Sequence, residues 1–282
     1  MPAQKPAWAR WLRWIGAVGT LLAATVLVAS MTLRLETSFA LDGAAISSLA
    51  PGVERAIRLV HRLAASSVAL LALAAAVICW IWRAFSRPVW MPVAWIGFST
   101  LMLSVIGPMT PGYRLPLVTV ANVSMGMLLL MAFWWLRETA YRPSHSRAVV
   151  GGFERAAMVA FVLHAATGAA ASAALAQGGR LPVLLHLLTL TVWLVLAGSV
   201  WRNCRRSDGT EVWSFALLAL VALQLLVGYL AMVPVNRTPT LLLAHALISP
   251  LLALCLVSLA VRRTGLTALS FGANGVPASR GP

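Results

Sequence analysis

Residues 212–233 read VWSFALLALVALQLLVGYLAMV, a run without one Asp, Glu, Lys or Arg. About 20 mostly apolar residues cross the hydrocarbon core of a bilayer as an α-helix. A helix is suited to that medium because it satisfies its own backbone hydrogen bonds. Similar runs recur along the whole 282-residue chain and place helices near 12–34, 56–82, 89–108, 116–136, 156–176, 182–201, 212–233 and 240–261. The short alternating segments of a transmembrane β-barrel are not seen. With 60% hydrophobic and only 10% charged residues, the chain has too little charged surface for a soluble domain of its size. The expected fold is an all-α integral membrane protein with eight transmembrane helices.

A net charge of +15 raises the question of nucleic acid, and the placement of the charges answers it. Lys5, Arg10 and Arg13 precede the first run. Arg83 and Arg87, then Arg137, Arg142, Arg147 and Arg155, then Arg202, Arg205 and Arg206 fill every second connection. Arg262, Arg263 and Arg280 follow the last run. The alternate connections carry fewer, mainly Arg34, Arg55, Arg58, Arg114, Arg180 and Arg237. This is the positive-inside pattern, and it puts both termini in the cytoplasm of a bacterial-type inner membrane. The charge reports topology, so no nucleic-acid partner is expected. Of the twelve tryptophans, Trp11, Trp14, Trp80, Trp82, Trp134, Trp135, Trp201 and Trp213 fall at cytoplasmic helix ends, as an interfacial aromatic belt does. The first run is a full span with no cleavage site after it and reads as a helix, not a signal peptide. Cys79, Cys204 and Cys255 fall in helices or on the reducing side and show no metal-type spacing.

The two halves of the chain resemble one another. Arg114 to Asn122 reads RLPLVTVAN and Arg237 to His245 reads RTPTLLLAH. Arginine, proline, alanine and a final polar residue share their offsets, and a glycine precedes each segment, Gly107 and Gly228. His61 lies in RLVHRLAASSVALL and His186 in VLLHLLTLTVWLVL. Both pairings give a repeat of about 123–125 residues. An even number of helices per half makes the repeat parallel. The expected organisation is a cytoplasmic N-terminus (1–11), a four-helix half (12–136), a cytoplasmic linker (137–155), a second four-helix half (156–262) and a flexible cytoplasmic tail (263–282).

Chemistry falls to the histidines. His145 sits in a polar loop, and His164, near the middle of the fifth helix, reads as polar helix packing ahead of a ligand role. His61, His186 and His245 each lie about 8–10 Å below the outer boundary at 1.5 Å rise per residue, and Asn122 takes the fourth equivalent depth. Polar groups at membrane depth face a bundle interior or a site. Zinc would suit such a layer, but no carboxylate or cysteine accompanies it. His186 and His245, on different helices of one half, are better placed as axial ligands of a heme. Arg114 and Arg237 precede the ligand positions by eight residues, and Arg62 follows His61. Each arginine suits a heme propionate, and each also reads as a snorkelling interface residue.

A parallel repeat with histidines in the even helices near the outer face resembles the heme A synthase family. The matching residues are the pair His61-Arg62, the segment RTPTLLLAH with its preceding LQLLVG (Leu223 to Gly228), and His186, within a resemblance spanning about 12–262. The resemblance implies an oxidoreductase that converts the methyl group of heme O to the formyl group of heme A for cytochrome c oxidase. It implies a heme b cofactor with His186 and His245 on the iron, and Arg237 beside it. It also implies a substrate-heme site in the first half, with His61 as catalytic ligand and Asn122, Arg62 and Arg114 around it. Heme O is then the substrate, and heme O synthase and cytochrome c oxidase subunits are the implied partners within the lipid bilayer.

The chain departs from that family in its first half. Asn122 stands where a second histidine is expected. Arg58 stands where the family has a Glu three residues before the first histidine. Glu54 lies two turns before His61 on the same face, roughly 10 Å away. It is a substitute catalytic carboxylate or an interfacial acid paired with Arg55 or Arg58. The periplasmic cysteine pair of some members is missing. Two other readings therefore stand beside the enzyme: a non-catalytic heme b protein serving oxidase assembly or electron transfer, and a transporter or other polytopic protein without heme.

Overall fold

The computed structural model describes residues 7–41, 50–109, 116–140, 152–175, 181–205, 210–233 and 238–273. They form α1 (Ala7–Leu41), α2 (Pro51–Ile81), α3 (Arg87–Ile106), a 3-10 turn (Gly107–Met109), α4 (Pro116–Thr139), α5 (Gly152–Leu175), α6 (Leu181–Cys204), α7 (Glu211–Met232) and α8 (Pro239–Ala273). No strand occurs among the described residues.

Local chemistry sets the helix ends. α2 and α3 open on a proline in the first two positions, where the missing N–H has no intrahelical partner in any case. α2 closes through a Schellman motif: the amide of Ala84 donates to Cys79 O at 3.0 Å and that of Arg83 to Trp80 O at 3.3 Å. Arg83 takes the left-handed position with φ 47°, one that usually belongs to glycine. The helices begin and end close to the expected apolar runs, with two differences. α1 continues to Leu41, and α8 continues to Ala273, so the first part of the expected flexible tail is helical. Its sequence, RRTGLTALSFGA from Arg262 to Ala273, contains no proline, and Leu and Ala favour continuing the helix.

Among the described residues, seven helices, α1 to α4 and α6 to α8, are long and apolar enough to cross a membrane. α5 opens with Glu154 and Arg155 ahead of its apolar part. The surface is built for lipid. α7 buries Ser214, Leu217, Gln224 and Ala231 on one face and exposes Phe215, Leu218, Leu226 and Met232. A water-soluble protein does not expose a continuous apolar face of this kind. Trp11, Trp14, Trp80 and Trp82 are exposed at helix ends.

The packed helix pairs follow a pattern. α1 packs on α2, α2 on α3, α3 on α4 and α4 back on α1. α5, α6, α7 and α8 close in the same order. Between the two sets, α4 meets α5 and α8, and α1 meets α8. Exchanging each helix for the one four places along maps these pairs onto themselves. The described residues form two apolar cores. Leu12, Ile96, Met127 and Phe133 belong to the first, and Phe161, Trp193, Leu217 and Leu252 to the second. At the α4–α8 contact the indole Nε1 of Trp134 donates to Ser258 Oγ at 2.7 Å, across 124 residues of sequence. Arg137 stacks on Trp134 at 4.1 Å and Arg262 on Trp213 at 5.1 Å. Glu138 ion-pairs with both arginines, at 3.2 and 3.3 Å.

Candidate functional site

Three histidines converge in the second half. His164 of α5 is buried, 3% exposed. Its ring stacks on His186 of α6 with centroids 4.2 Å apart and planes 10° apart. On its other side lies Trp193, two turns further along α6, at 5.8 Å and 4°. His245 of α8 stands near both rings.

Each of the two expected iron ligands is seated on a glycine of the preceding helix. A Cβ at Gly168 of α5 would lie 2.9 Å from Cε1 of His186, and a Cβ at Gly228 of α7 would lie 2.8 Å from Cε1 of His245. Both positions therefore need glycine for the rings to pack where they do.

Polar partners orient the rings. Nδ1 of His186 lies 3.2 Å from the carbonyl oxygen of His164 and 3.4 Å from Thr167 Oγ1. Thr167 in turn is 2.8 Å from Thr189 Oγ1. A histidine that donates from Nδ1 to a backbone carbonyl keeps its Nε2 lone pair for a metal. His245 is held by Gln224 of α7, whose amide Nε2 is 3.2 Å from His245 Nε2 and 3.3 Å from Ser249 Oγ. Gln224 is 3% exposed. Four buried atoms here lack a hydrogen-bond partner: Gln224 Oε1, His245 Nδ1, His164 Nδ1 and Trp193 Nε1. Unpaired buried polar atoms are costly, and a ligand at this site would add contacts.

The first-half residues are arranged otherwise. His61 of α2 is half-buried and Asn122 of α4 likewise. No hydrogen bond joins the two among the described residues, and α2 and α4 are not among the main packed pairs. Arg62 is exposed. Glu54 accepts two hydrogen bonds from Arg58, at 2.8 and 2.5 Å, one turn away, which is the interfacial ion pair anticipated for it. Arg114 and Arg237 lie outside the described residues.

No family model and no curated protein matches this chain. The site must therefore be read from its own donors. No group of three or more His, Cys, Asp or Glu side chains that could hold a metal ion occurs among the described residues. The donors present are imidazoles on α6 and α8, which are not among the main packed pairs. That set suits a flat iron porphyrin, which needs one nitrogen on each face. Sequence reading named His186 and His245 and quoted the segment holding Gln224 without singling that residue out. His164 reads from the sequence as polar helix packing ahead of a ligand role, and the structure lays its ring against His186.

Proposed function

We propose that the chain is a membrane heme protein of the heme A synthase type. His186 and His245 hold one heme b between α6 and α8. The observation that carries this reading is the environment of His186: a glycine seat, an Nδ1 tied to a backbone carbonyl, and an Nε2 left for iron. The glycine seat recurs at His245. A bound heme would supply one-electron redox chemistry. The protein's own part is to fix the two imidazoles. Gln224 donates to Nε2 of His245, and iron bound at that nitrogen would take the place of this hydrogen bond.

In this proposal the packed-pair pattern and the two cores reflect a duplicated four-helix unit. The eight helices span the inner membrane with both termini in the cytoplasm. The first half is the site where heme O is oxidised to heme A, with His61 as its ligand, Asn122, Arg62 and Arg114 around it, and Glu54 as the candidate proton carrier. Arg237 is placed beside the heme b propionates.

A second reading has an observation of its own. Glu54 is engaged by Arg58, and no contact draws His61 and Asn122 together. That arrangement favours a heme b protein without a substrate site, serving oxidase assembly or electron transfer. Extracting and identifying the hemes of protein purified from cells that also make heme O separates the two. Heme B with heme O or heme A supports the synthase; heme B alone supports the single-heme protein.

A further inference from the structure

The His164 side chain has no task in the proposed ligand set, yet it is among the most enclosed polar groups in the chain. It enters α6 between His186 and Trp193, and the three rings lie nearly parallel, at 10° and 4°. Phe161, one turn earlier on α5, backs Trp193 at 5.6 Å. A ring clamped on both faces has little freedom to turn, and a ring lying flat on it inherits that restriction. The same residue also contributes its backbone carbonyl to Nδ1 of His186. His164 therefore touches the expected ligand in two ways: a face contact that fixes the tilt of the imidazole plane and a hydrogen bond that fixes which nitrogen is free. Helix packing alone does not require a histidine here. A buried polar ring with an unpartnered Nδ1 is a costly way to fill apolar space.

We infer that His164 is a positioning residue for the heme site: its ring, held against Trp193, sets the plane of the His186 imidazole at the iron. The inference rests on the proposed heme b ligation. The carbonyl bond survives any side-chain change at this position, so substitution isolates the face contact. An unclamped imidazole samples several planes, which weakens the iron bond and spreads the orientations of the low-spin centre. Loss of such outer contacts lowers metal affinity by about 10-fold or more.

The test compares wild-type protein, His164→Ala and His164→Phe in detergent, by heme b dissociation rate and by the low-spin ferric electron paramagnetic resonance signal. His164→Ala should release heme about 10-fold faster and show a broadened, shifted low-spin signal. His164→Phe, which restores a flat ring, should return both towards wild type. Should His164→Ala fail to accumulate, Trp193→Leu frees the other face of the ring and carries the same expectation. A wild-type low-spin heme left unchanged by these substitutions overturns the inference while leaving the heme assignment standing. So does a His164→Phe protein as impaired as the alanine variant. Wild-type protein without a low-spin heme overturns the assignment itself and the inference with it.

Discussion

Gly228 lies so close beneath the imidazole of His245 that a methyl group there would meet Cε1 at 2.8 Å. In a helix interior Gly→Ala is ordinarily favourable by about 1 kcal/mol. Forcing a methyl into packed space costs about 1–3 kcal/mol. Gly228→Ala should therefore change the thermal stability of heme-free protein only modestly, while displacing the ring and weakening heme b binding by about 10-fold. Gly168→Ala should do the same through His186. Heme titration beside thermal melts checks both, and unaltered heme binding in either variant would remove the glycine seats from the account.

Gln224 gives the opposite separation. Its amide bond to His245 is present without heme, so Gln224→Leu should lower the stability of heme-free protein by about 1 kcal/mol. If heme iron binds at that nitrogen, it takes the place of the amide bond, and the loss should shrink once heme is added. Melts with and without heme measure the difference, and an equal loss in both forms would mean that Gln224 does not leave the ring nitrogen.

Asn122 is the weakest position of the expected first-half site. If heme O binds on His61, Asn122→His restores a second imidazole and should raise the heme O retained on purification several-fold. Heme analysis of the variant reads this directly. No change in heme O retention would speak for the single-heme protein.

The hydrogen bond from Trp134 to Ser258 lies apart from the proposed chemistry. It joins residues separated by 124 positions, within the repeat length read from the sequence. Ser258→Ala should cost about 1 kcal/mol of stability and leave the heme spectrum untouched. A changed spectrum would mean that this contact is coupled to the site.

The helices were legible because each apolar run is long and uninterrupted, and the even-helix histidines because a polar group stands out in such a run. Other features were not. His164 has no counterpart in the first half, so comparing the halves gave it no weight, and only the folded α5–α6 pair brings it to His186. Gln224 lies four residues before Gly228, whereas Leu103 lies four before Gly107. The polar support of the second half is thus missing from the first, a difference that acquires meaning only once Gln224 is found on His245.

The most direct test of the central claim is a pyridine hemochrome spectrum of the purified wild-type protein, beside His186→Ala and His245→Ala. The account predicts heme B in the wild type and loss of its low-spin spectrum in each variant. Wild-type protein without heme, or a low-spin spectrum that survives both substitutions, would contradict it.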